Sequence, residues 1–254
     1  MRAATALASL LPLSQQWRAD APATHDNVVS CIASGFAALD RELPGGGWPQ
    51  GQLIELLLDA PGCGELSLLM PALAQVTRAQ SSVWVLPCES VAGAQPFLPY
   101  APALTQAGID LARNVFVWPA TPRESAWAFE QALRATHLGA VIGWLAAGGS
   151  AESDFRVLRR LHLLATRQRV LVFVLRETCA ARAPSPAALR LQLAQCDGAI
   201  EVTVLKRRGR PLLEPVALQV HPARWNTSRV ETAAAAARPA RPALSKALQA
   251  IFNH

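Results

Sequence analysis

The stretch Leu56-Leu57-Leu58-Asp59-Ala60-Pro61-Gly62-Cys63-Gly64-Glu65-Leu66-Ser67-Leu68-Leu69 decides how this chain is read. An apolar run of strand length meets a Pro/Gly turn, and an apolar pattern at helical spacing follows. Strand, turn and helix in that order frame a phosphate-binding loop, whose pattern is GxxxxGK[ST]. Each position has a task. The glycines let backbone N–H groups turn toward the phosphates, the Lys reaches the outer phosphates, and the Ser/Thr hydroxyl holds Mg²⁺.

Gly64 keeps the second glycine of that pattern, and Gly62 lies inside the loop. Asp59 stands at the first glycine, Glu65 at the Lys and Leu66 at the Ser/Thr. Glu65 turns attraction for a triphosphate into repulsion of similar size, roughly 4 kcal/mol for a charge pair about 4 Å apart at an effective dielectric of about 20. A helix N-terminus favours a carboxylate, so Glu65 is expected to cap the place a phosphate would take. Asp59, Gly62, Gly64, Glu65 and Leu66 are thus degenerate phosphate-loop positions. No catalytic residue, metal ligand or cofactor is expected. Taken alone, the stretch reads as a plain strand–turn–helix.

Outward from the loop, strand-length apolar runs alternate with helical patterns. Strands are expected at residues 52–58, 82–86, 114–118, 140–145 and 170–175. Helices are expected at 34–43, 65–78, 100–107, 123–136 and 152–167, with Thr121 as a cap and Pro122 in a first turn. Continuous apolar strands between helices mean an α/β fold, with a mostly parallel sheet covered on both faces. Strands at 190–194, 199–206 and 216–221 read as an antiparallel C-terminal extension. Residues 1–33 form an N-terminal helix (3–18) and linker, and 34–222 the core domain. Residues 223–254 are a flexible Ala/Arg/Pro-rich linker and a short amphipathic tail. There Leu244, Leu248, Ile251 and Phe252 share a helical face, as in a segment that lies in a partner's groove.

The composition supports one large core: 51% of the 254 residues are hydrophobic and 17% charged. No apolar run approaches the ~20 residues of a spanning helix. Residues 1–13 imitate a signal peptide, but Pro12 interrupts the run and Gln15-Gln16-Trp17-Arg18 continue a helix. Five scattered cysteines without a CxxC pair read as reduced cytoplasmic thiols rather than a disulfide or zinc framework. The net charge of +6 allows an acidic or nucleic-acid partner. Lys206 and Lys246 are the lysines; the rest of the positive charge is Arg. Trp48 and Trp84 are expected in the core, and Trp144, at a strand end, in the core or at a contact.

The motifs around the loop carry a resemblance. Ser34-Gly35-Phe36-Ala37-Ala38-Leu39-Asp40, Leu43-Pro44-Gly45-Gly46-Gly47-Trp48-Pro49-Gln50-Gly51 and Ile54-Glu55 resemble the approach to the phosphate loop of RecA-like ATPases. Together with Leu98-Pro99-Tyr100-Ala101-Pro102-Ala103-Leu104, Gly139-Ala140-Val141-Ile142-Gly143-Trp144-Leu145 and Val204-Leu205-Lys206-Arg207-Arg208-Gly209-Arg210-Pro211, they resemble the ImuA family. These are RecA-like accessory proteins of damage-induced mutagenic DNA synthesis. The segment 141–145 is also similar to SulA, a division inhibitor acting on FtsZ.

The ImuA resemblance implies a non-catalytic adaptor of the SOS response. Its implied partners are an ImuB-type inactive Y-family polymerase, RecA and an error-prone DnaE-type polymerase. A SulA-like inhibitor and a residual ATP-binding enzyme are the alternatives. An active RecA-type ATPase would carry an Asp where Gly143-Trp144-Leu145 stand, and Glu89 lies near its water-activating Glu. The connections matching the two DNA-binding loops, 146–151 and 176–185, are short, which weakens the case for DNA contact. Lys206 and Arg208 match two RecA lysines that reach a neighbour's nucleotide. With Trp144 and the tail residues, they are the candidate partner contacts. Arg156, Arg159, Arg160, Arg167 and Arg169 form a basic cluster whose default reading is a solvated helix face.

Overall fold

The computed structural model describes residues 30–88, 98–146, 150–196, 198–212 and 214–220. The expected N-terminal helix, Glu89 and the tail with Leu244, Leu248, Ile251 and Phe252 lie outside the described residues.

A short ribbon comes first: β1 (Cys31–Ile32) pairs antiparallel with β2 (Trp48–Pro49), and α1 (Ala37–Asp40) lies between them. The alternation follows as β3 (Leu53–Leu58), α2 (Glu65–Thr77), β4 (Ser81–Val85), α3 (Ala101–Gln106), β5 (Asn114–Val117), α4 (Pro122–Ala132), β6 (Leu138–Trp144), α5 (Ala151–Gln168) and β7 (Leu171–Glu177). A 3-10 turn (Thr178–Arg182) leads to β8 (Leu189–Cys196), β9 (Ala199–Lys206) and β10 (Val216–Leu218). The large sheet has eight strands in the order β10-β9-β8-β3-β7-β6-β4-β5.

Two expectations change. The helix expected at 34–43 is one turn only. Ser34 accepts the Phe36 N–H at 3.1 Å, and the Ser34 N–H donates to Asp40 Oδ1 at 2.8 Å. These side-chain bonds satisfy backbone groups without a helix. The strand expected at 190–194 to begin the antiparallel extension is parallel to β3, with Ile54 opposite Leu189. The connection 178–188 carries the chain past the end of β3 to its far side, as a parallel crossover requires. The antiparallel pairings of this sheet are β8 with β9 and β9 with β10, so β8 to β5 form a six-stranded parallel block.

Strand residues alternate between two cores. Ile54, Leu56, Leu58 and Phe173 pack with Leu68, Leu69 and Leu73 of α2; Leu53, Val141 and Val172 pack with Phe129 of α4 and Leu158 and Leu161 of α5. Trp48 lies edge-on to Phe173, centroids 5.2 Å apart. Burying each such side chain contributes about 1.5–3 kcal/mol. The Thr121 cap forms as expected: its hydroxyl accepts the Glu124 N–H at 3.2 Å, and Glu124 reaches back to the Ala120 N–H at 2.8 Å. Among the described residues, no helix is long and apolar enough to cross a membrane.

Candidate functional site

β3 delivers the chain to the Asp59–Leu66 turn at the C-terminal end of the parallel strands. Gly64 is the N-cap of α2 with φ +103°, a left-handed conformation that suits glycine. A Cβ there would meet Ile200 Cδ1 at 2.5 Å, so the turn also packs tightly on β9. Glu65 is 1% exposed, and its Oε1 accepts the Gly62 N–H at 2.8 Å. In a working loop, backbone N–H groups of this kind point at phosphate oxygens. Here the chain's own carboxylate takes one of them. Its second oxygen, Oε2, is buried without a hydrogen-bond partner.

The rest of the turn is tethered as well. Asp59 accepts the Thr178 hydroxyl proton at 2.5 Å, tying the loop to the turn after β7. Leu66 packs against the α2-side core. Burial, and then the charge of Glu65, push the Cys63 thiol up to about 12, so it stays protonated. Among the described residues no cation forms an ion pair with Glu65, and the apolar Leu66 follows it at the position where the pattern has Ser/Thr.

At the end of β6, a Cβ on Gly143 would lie 2.6 Å from Val85 Cβ, so the two strands approach as only glycine permits. Trp144 is 2% exposed and belongs to the α2-side core. That corrects the expectation of a partner contact there: both faces of the sheet are covered, so a β6 side chain has no route to solvent. Trp144, Leu145 and Ala146 put no carboxylate at this strand end. Among the described residues, no group of three or more His, Cys, Asp or Glu side chains could hold a metal.

A charged cluster inside the sheet escaped the sequence reading. Glu55, fully buried on β3, pairs with Arg190 of β8 at 2.7 Å and Arg176 of β7 at 3.2 Å. Arg176 also holds Asp154 of α5 at 2.7 Å, and Arg190 donates to the Ala180 carbonyl at 2.8 Å. The cluster staples three adjacent strands, a helix and the post-β7 turn on the α5 side. The signal was present: Glu55 and Arg190 interrupt apolar strand runs, and a charge buried on such a strand needs a partner.

Lys206 and Arg208 lie at the opposite end of the sheet, since Lys206 faces Arg190 near the start of β8. With His162 of α5 and Gln52 they line an open cleft of about 220 Å³. Arg207 is turned to structural use, donating to the Glu42 carbonyl and pairing with its carboxylate at 3.2 Å. The α5 cluster divides: Arg156 pairs with Glu152 and Arg160 with Glu130, while Arg159 adds its field to His162. The degenerate loop and the Lys206–Arg208 pair are therefore separate sites at opposite ends of β3. No family model matches the chain, and no curated protein matches it.

Proposed function

We propose that the chain is a non-catalytic, RecA-like adaptor of the DNA-damage response that acts through protein contacts. The observation that carries the reading is the Glu65 carboxylate folded onto the Gly62 N–H, in the place where a phosphate loop needs a cation and a free donor. Loss of Lys, Ser/Thr and the strand-end carboxylate together leaves a frame without its nucleotide chemistry, and a frame kept without its chemistry retains its surfaces. The resemblance to ImuA suggests the partners: an ImuB-type inactive Y-family polymerase, RecA, and an error-prone DnaE-type polymerase.

Two measurements test this. Isothermal calorimetry with ATP and Mg²⁺ should show no binding below 1 mM ligand; micromolar binding with phosphate release would make the protein an ATPase and reject the adaptor reading. Co-purification of the full chain with RecA and an ImuB-type protein should give a stable complex. Failure with both, coupled with inhibition of FtsZ assembly, would move the assignment to a SulA-like inhibitor.

A further inference from the structure

Two depressions meet at the sheet end far from the Glu65 turn. The cationic one is the 220 Å³ cleft, lined by Gln52, His162, Ala188, Lys206 and Arg208. The other is small, about 50 Å³, and its walls include Pro44, Pro49 and Leu189. Gln52, Ala188 and Arg208 line both, so they form one groove with a charged half and an apolar half.

The charged half holds more positive charge than its surroundings neutralise. Among the described residues, no carboxylate forms an ion pair with Arg159, Lys206 or Arg208. Lys206 donates one proton to the Ser185 carbonyl at 2.9 Å and has two more to offer. His162 Nδ1 accepts the Leu53 N–H at 3.4 Å, so the neutral ring carries its proton on Nε2 as a donor. Burial, then the charges of Arg208, Lys206 and Arg159, lower the His162 pKa below its ordinary value. An anion in the cleft would offset that field.

We propose that this groove docks an acidic peptide segment of a partner protein, its carboxylate in the Lys206–Arg208–His162 half and an adjacent apolar side chain in the Pro44–Pro49–Leu189 half. The inference rests on the adaptor reading and names its docking surface. A nucleic-acid strand fits the groove less well. The lining contains no Phe, Tyr or Trp ring on which a base could stack, and a phosphodiester offers nothing apolar to the second half. Charge complementarity together with an apolar neighbour selects a peptide that alternates the two chemistries.

The probe is a fluorescein-labelled dodecapeptide of alternating Leu and Asp, titrated with the full chain by fluorescence anisotropy. Comparators are an alternating Ser/Asp dodecapeptide and a dodecamer of thymidylate. The Leu/Asp peptide should bind at least fivefold tighter than Ser/Asp. Lys206→Ala should weaken it about tenfold, and Arg208→Glu should abolish it; both side chains are exposed, and an unchanged melting temperature checks each fold. Binding should tighten as pH falls from 7.5 to 5.5, because the bound carboxylate favours the imidazolium, and His162→Gln should remove that dependence. Equal affinity for Ser/Asp, or unchanged binding by Arg208→Glu and Lys206→Ala, overturns the proposal. So does tighter thymidylate binding that Arg208→Glu abolishes, which would make the groove a nucleic-acid site.

The adaptor reading separates cleanly. If wild type and Arg208→Glu capture RecA or the ImuB-type protein equally, the groove fails and the adaptor stands. If the groove binds the Leu/Asp peptide and wild type captures neither protein, the groove stands and those partners fail.

Discussion

The two ends of β3 are built in opposite ways. At its C-terminal end the chain bonds to itself: Glu65 Oε1 accepts the Gly62 N–H, Thr178 holds Asp59, and Cys63 is kept as a thiol. At its N-terminal end the chain leaves charge unanswered, with Lys206 and Arg208 over a cleft beside His162. Between them, the Glu55 cluster locks β7, β3 and β8 together. The difference teaches that the two ends of one strand can diverge: at the turn a buried carboxylate, Glu65, bonds the chain's own backbone, while the other end carries an open, charged surface.

The sharpest way to break the comparison is through the lock itself. Glu55→Gln leaves Arg176 and Arg190 buried beside a neutral group. It should cost about 3–5 kcal/mol in urea unfolding, as for other broken buried pairs. A loss under 1 kcal/mol would mean that water reaches the cluster. Next comes the closed turn. Gly64→Ala meets both a positive φ and Ile200, and should cost about 1–3 kcal/mol. An unchanged midpoint would show a turn loose enough to reopen.

The closed turn also makes a chemical prediction. With its pKa near 12, Cys63 is thiolate at on the order of 10⁻⁴ at pH 8. Iodoacetamide should therefore label the exposed Cys179 and Cys196 well before Cys63, read by mass spectrometry of tryptic peptides. Prompt labelling of Cys63 would mean an open loop.

The open end should answer in the contrary sense. Arg208→Ala should shift stability by no more than about 0.5 kcal/mol, because the side chain is exposed and lacks an ion pair. The smallest effect concerns pH. The folded-state pKa of His162 lies below its ordinary 6.5, so the unfolded chain binds the proton first. Stability attributable to His162 is present above about pH 6.5 and declines as pH falls toward the folded-state pKa. His162→Gln should flatten that part of the stability curve; a slope unchanged by the substitution would remove His162 as its source.

Much of this was legible from residue order. Runs such as 171–175, apolar at every position, and 53–58, apolar but for Glu55, declare strands buried on both faces; the Thr121-Pro122 start declares a helix. The loop substitutions at Asp59, Glu65 and Leu66 were visible because a phosphate loop demands particular chemistry at particular spacings. The one-turn helix at Ala37–Asp40 was not, because its outcome turns on whether Ser34 and Asp40 bond locally or let the backbone continue. Trp144 was open between core and contact because a strand end looks alike in both cases until neighbouring elements cover it.

What the sequence by itself determined is local: the alternation of strands and helices, and a Pro/Gly turn that leads from β3 into a helix opened by Glu65 and Leu66. Those are set by the chemistry of adjacent residues. Only the tertiary structure decided that β8 runs parallel to β3 and that Glu55 meets Arg176 and Arg190. It also brought His162 within the field of Lys206 and Arg208, and turned Glu65 inward. Each of the first three joins residues far apart along the chain. Such pairings depend on which strands become neighbours, and strand order is decided by how the whole sheet buries its two faces. Glu65 and Gly62 are close in sequence, and the hydrogen bond between them forms at a turn whose Gly64 lies close against Ile200 of β9.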